Sequence, residues 1–167
     1  MANPFPAGRK PTKIERNYDI DFDKIDRELD LIKYKIFSQT NAAFLGSILC
    51  SLNFAWTSDQ KTACTDGLVL WWNPYFWNTL DEESRIFVLL HELWHVAFLH
   101  MLRRGDRDPE LWNYACDYAI NAMLYADGYR CPKRTPLFDS QFNGMNAEAI
   151  YDIIASPTFS MGGVTIW

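Results

Sequence analysis

The chain of 167 residues is 49% hydrophobic and 16% aromatic, with seven Trp, which is enough apolar material for one compact core. Its formal net charge is −5 and no basic stripe runs along it, so it lacks the electrostatic footprint of a nucleic-acid binder. No apolar run reaches the length of a membrane span, because His91, Glu92 and His95 interrupt the best one.

Residues 1–20 contain Pro and Gly but no apolar signal-peptide core, and read as a flexible arm ahead of a domain spanning 21–155. From Asp21 the pattern turns helical, with Phe22, Ile25, Leu29, Ile32 and Ile36 on one face. Asp19, Asp21 and Asp23 resemble a calcium loop, but Lys24 stands where such a loop needs Gly and Asp30 where it needs Glu. Helix-entry carboxylates explain them better. Ile48, Cys50, Leu52, Phe54 and Trp56 alternate with Leu49, Ser51, Asn53 and Ala55, mostly a period of two, which predicts a strand. A second strand is expected near 62–65, and Asp66-Gly67 then signals a hairpin into a third over 68–72. Asn73-Pro74 ends that strand and starts a short helical turn to Trp77.

Thr79-x-x-Glu82 reads as a capping box opening a long apolar helix that runs to about Arg104 and stops at Gly105. Arg104-Gly105-Asp106 spells an adhesion tripeptide, which in this context is a coincidence of the terminating loop. Asp108-Pro109 supplies an N-cap and N1 proline for the next helix, to about Ala126, closed by Gly128. An irregular loop over 132–145 precedes a short helix, 146–154, with Asn146 as N-cap, and 156–167 forms a tail. Cys50, Cys64, Cys116 and Cys131 lack metal-binding or secreted spacing, which points to reduced thiols and a cytoplasmic protein.

The chemistry is concentrated in His91-Glu92-Leu93-Trp94-His95. On a helix, residues i and i+4 lie about 40° apart, so both imidazoles project side by side as two nitrogen ligands of Zn²⁺ require. Glu92, about 100° from His91, can reach a water without ligating the ion, the position of a general base. A satisfied core cluster is the plainer reading. Burying two His and a Glu without metal or partners would, however, cost several kcal/mol, and all three His of the chain fall between 91 and 100.

A catalytic zinc needs a third protein ligand. On a continuous helix His100 points about 160° away from His91 and His95, which leaves it as a possible fourth ligand or a neighbour of the site. Asn113, Asp117 and Asn121 form a polar strip at i, i+4, i+8 on the following helix. Asp117 is the favoured third ligand, with Asn113 and Asn121 available to orient it or a neighbouring His. Tyr114, Tyr118 and Tyr125 are candidate oxyanion donors.

Thr62–Gly67, Leu70-Trp-Trp-Asn-Pro-Tyr-Phe76, His91–His95 with His100, Leu111–Asn121 and Gly144–Asp152 together resemble a bacterial metallopeptidase-domain family. Its domain usually precedes a von Willebrand factor A-like domain. The resemblance covers about Phe22 to Ile154. It implies an α+β, minimal zincin-like fold, with helices on a small twisted sheet and the His-Glu-x-x-His segment on a central helix. It also implies a zinc site on His91, His95 and the acidic partner Asp117. A chain ending at Trp167 is expected to lack the second domain, and a separate protein partner could take its place.

The leading expectation is therefore a zinc peptidase in which metal-activated water attacks a peptide carbonyl and Glu92 takes the proton. The expected substrate is a peptide or protein, which a sheet edge, placed at 68–72, could hold as an added strand. The rival is a zinc-stabilised protein-binding module without turnover, for which His91, His95, His100 and Asp117 would all ligate. The seven Trp suit either a core or an aromatic groove.

Overall fold

In the computed structural model, residues 19–38 and 42–159 are described, so the arm up to residue 18 and the tail from 160 lie outside the description. The fold is α+β: seven helices surround a three-stranded mixed sheet among the described residues. None of these helices is long and apolar enough to cross a membrane.

Helix α1 (Phe22–Phe37) begins where the Asp21 carboxylate accepts from the Lys24 amide at 2.9 Å. It buries Ile25, Leu29, Ile32 and Ile36, the face its spacing predicts. The strand expected from Ile48 is corrected: α2 (Ala42–Ser51) takes its first half, and β1 is only Asn53–Trp56. Leu45 and Leu49 sit one helical turn apart and are both buried, so the run satisfies a helix as well as an alternation.

Strands β2 (Ala63–Thr65) and β3 (Val69–Trp72) form the expected hairpin. Asp66 Oδ1 accepts from the amides of Leu68 and Val69 at 2.9 and 2.8 Å, while Gly67 adopts φ 91°, open to glycine at little cost. β1 joins β3 in parallel, giving the order β1-β3-β2. β3 is thus the central strand and not the edge proposed for 68–72; β2 is an edge. The central position accounts for its fully buried Leu70 and Trp72.

Helix α3 (Pro74–Thr79) is capped by Asn73 and runs past Trp77. Thr79 belongs to this helix and donates its hydroxyl to the Phe76 carbonyl at 2.7 Å, so the capping box expected with Glu82 does not form. Leu80 is extended, and Asp81 caps α4 (Glu82–Ala97) by accepting from the Ser84 amide at 2.9 Å. Helix α4 also ends earlier than Arg104. Leu99 turns left-handed, φ 53°, and a four-residue helix α5 (His100–Arg103) starts in a new direction. Helix α6 (Pro109–Ala126) has the expected Asp108 cap, with both bonds at 3.0 Å. The loop after it holds one 3-10 turn, Ser140–Phe142, before α7 (Ala147–Ile154), capped by Asn146.

The main core lies between α1, α2, α4 and the sheet, and gathers Trp72, Trp77, Phe87, Leu90 and Leu93. Trp72 and Trp77 meet edge to face, ring centroids 4.9 Å apart, so much of the tryptophan content is core. A smaller core joins α6 to α7 through Tyr114, Tyr118, Phe142 and Ile150. Arg103 on α5 grips Glu148 of α7 with two parallel hydrogen bonds, 3.0 Å to Oε1 and 2.6 Å to Oε2, which ties the redirected segment down. All four cysteines are free.

Candidate metal centre

Two helices make the site. α4 supplies His91, Glu92 and His95 from its buried side, and α6, packed beside it, supplies Asp117 and Asn121. The α4 run is apolar enough to be drawn into the core, which carries its polar residues inside with it. His91, Glu92, Asp117 and Asn121 retain only 3%, 7%, 3% and 1% of their exposure.

The His91 and His95 Nε2 atoms lie 3.0 Å apart, and Asp117 Oδ1 is 3.4 Å from the first and 3.1 Å from the second. Among the described residues these three form the cluster able to hold a metal ion. His91 is oriented from behind. Asn121 Nδ2 donates to the Leu137 carbonyl at 2.9 Å, which fixes the amide, so its Oδ1 must accept from His91 Nδ1 at 2.8 Å. That leaves His91 Nε2 as the ring nitrogen facing His95 and Asp117. Two ring nitrogens and a carboxylate oxygen at such spacing call for positive charge between them. The donor set therefore fits a metal ion.

The protonation balance expresses the same demand. Burial alone would raise the Asp117 carboxyl, but hydrogen bonds from His91 and His95 hold it well below the usual carboxylate range. Burial alone would lower His91, and the Asp117 contact outweighs it and raises the imidazole. Glu92 is pushed up, first by burial and further by Asp117, with His95 and His91 opposing.

One face of the cluster opens into a cavity of about 570 Å³. His91, Glu92, His95 and Asp117 share its lining with the edge strand β2 and the loop before it. Cys64 of β2 and Cys116 of α6 also line it, each thiol raised chiefly by burial. No sequence signal marked either one, because cysteines without metal-ligand spacing carry none.

The remaining candidates are distributed differently. Asn113 is exposed and lines the cavity without joining the cluster. His100 is buried and lines the same cavity, its Nδ1 3.2 Å from His95 Nδ1. The break at Leu99, absent from a continuous helix, brings it there; the expected 160° divergence does not occur. It lies beside a candidate ligand and outside the three-donor cluster.

The three tyrosines do not line the cavity. Tyr114 donates to Glu110 Oε1 at 2.7 Å, Tyr118 packs on Phe142 with centroids 4.7 Å apart, and Tyr125 lies between Phe87 and Phe138. Two of them face the smaller core and the third the main one, so the oxyanion role expected of them has no support in their placement.

No curated protein and no solved structure matches the chain. The model of a family described as "Putative metallopeptidase domain" matches residues 28–162, most of the chain, and the protein belongs to that family.

Proposed function

We propose that the protein is a zinc-dependent peptidase in which His91, His95 and Asp117 hold the ion and Glu92 is the general base. Family membership and the buried His–His–Asp cluster support a metal-dependent peptidase in coarse terms. The choice of zinc rests on the donors. Two imidazoles and one carboxylate are a catalytic zinc set, and ligand bonds of about 2.0–2.1 Å in a tetrahedron separate the donors by roughly 3.3 Å. The observed separations of 3.0, 3.1 and 3.4 Å bracket that value.

The observation that carries the reading is the placement of Glu92. It neighbours the three donors, is not one of them, and lines the same cavity. When bound, Zn²⁺ supplies a Lewis acid that polarises a carbonyl and makes a nearby water acidic. Glu92 takes the proton from the attacking water and returns it to the leaving nitrogen. Burial moves its pKa towards the range in which one carboxylate can do both. Asn121 keeps the His91 ring turned so that Nε2 faces Asp117.

Peptide suits the cavity because β2 is an edge strand in its wall, and an extended chain can pair with free strand backbone. A purely structural zinc has four protein ligands. Three clustered donors beside an open cavity favour turnover over the binding-module reading.

The test is hydrolysis of a peptide library by the zinc-loaded protein. Cleavage should vanish on chelation and return when zinc is added back. Cleavage that persists at full rate in excess chelator would remove the metal from the reaction.

A further inference from the structure

We infer that His100 is a positioning residue for His95, acting as the hydrogen-bond acceptor that fixes which ring nitrogen of His95 serves as metal donor. The inference rests on the proposed metal site and assigns one part of its construction.

The two candidate imidazole ligands have parallel needs. Each must present Nε2 as a bare lone pair, and a neutral imidazole with a bare Nε2 carries its proton on Nδ1. For His91 the acceptor of that proton is Asn121 Oδ1, an atom that can only accept. For His95, whose Nε2 faces Asp117 and His91, the atom beside Nδ1 is His100 Nδ1 at 3.2 Å. Two nitrogens at that distance share one proton. If His95 is to donate it, His100 must hold its own proton on Nε2 and keep Nδ1 bare. A neutral acceptor orients the ring without adding a second negative charge next to Asp117.

The backbone is built to hold His100 in this place. Leu99 takes the left-handed region without being glycine, an arrangement that costs about 1 kcal/mol and persists where surrounding structure fixes it. Its own side chain is 52% exposed, so packing of Leu99 does not repay that strain. The turn instead places His100 edge to face with His95, with ring planes 76° apart and centroids at 5.3 Å. Trp112 Nε1 then donates to the His100 carbonyl at 3.0 Å, anchoring the backbone from α6, the helix that carries Asp117. The rings of His100 and Trp112 also meet edge to face at 6.0 Å.

The experiment compares zinc affinity, by chelator competition, in wild type, His100→Leu and His100→Asn. The Leu variant keeps apolar bulk and loses the acceptor, and should bind zinc about 10- to 100-fold more weakly, the usual effect of losing a partner behind a ligand. The Asn variant supplies an amide oxygen at the position of His100 Nδ1 that can accept from His95 Nδ1, and should recover most of the loss. Unchanged affinity in His100→Leu overturns the inference, as does an equal loss in both variants, which would reflect packing alone.

A second measurement needs no variant. Ring ¹⁵N spectra of the zinc-loaded wild type contain signals from only three histidines. They should show His91 and His95 protonated at Nδ1 and His100 at Nε2. A proton on Nδ1 of His100 overturns the inference. Wild-type protein that takes up no zinc at all would overturn the metal reading itself and this inference with it, whereas tight wild-type binding with an indifferent His100→Leu removes only the latter.

Discussion

Glu92→Gln is expected to abolish peptide hydrolysis while leaving fold and zinc content intact. The amide matches the carboxylate in shape and can neither take a proton from water nor hand it on. The loss of a positioned general base is worth about 100- to 10,000-fold in rate. Metal content should hold because Glu92 is not among the three clustered donors. Stability should not fall either. Burial disfavours the Glu92 carboxylate, so replacing it by a neutral isostere removes an unfavourable charge from a site only 7% exposed. Zinc stoichiometry and thermal midpoint, measured beside turnover, separate this outcome from simple unfolding. Full activity in this variant would take Glu92 out of the mechanism.

Asp117→Ala is expected to fail at the preceding step, holding the ion. It removes one of three protein donors and the only charged one, and leaves His91 and His95 with facing Nε2 atoms 3.0 Å apart. Losing a partner behind a ligand costs about 10- to 100-fold in metal affinity, so losing a ligand itself should exceed about 100-fold. His91 should also lose the contact that raises its pKa against the pull of burial, leaving that imidazole more readily neutral in the metal-free protein. Asp117→Asn sharpens the comparison by keeping the size and one oxygen while deleting the charge. Zinc bound to Asp117→Ala with wild-type affinity would transfer the third-ligand role elsewhere, with His100 the nearest alternative.

The parts of this molecule that were legible in the sequence are those that local geometry dictates. His91 and His95 had to share a helix face because four residues make just over one turn, and Asp117 and Asn121 follow from the same periodicity on α6. The caps at Asp21, Asp108 and Asn146 each obey a side-chain rule that operates within three residues. His100 was misplaced because one residue redirects the chain. Left-handed turns are usually announced by Gly or Asn, and here the residue is Leu99.

The run from Ala42 to Trp56 was ambiguous for a different reason. Its apolar residues fit both periods, and only packing of Leu45 and Leu49 in the main core decides for helix. Whether β3 is central or an edge depends on β1 pairing with it past the intervening strand β2, a long-range choice with no local signature. The tyrosines show the limit of face arguments. Tyr118 follows Asp117 directly, about 100° round the helix, and that rotation carries it to Phe142 and the smaller core.

The central claim is that a buried His–His–Asp cluster beside Glu92 exists to hold one catalytic zinc ion. Elemental mass spectrometry of the purified, tag-free protein tests it most directly. Close to one zinc per chain is the expected result. Protein that is folded without metal, and takes up none when zinc is supplied, would contradict it.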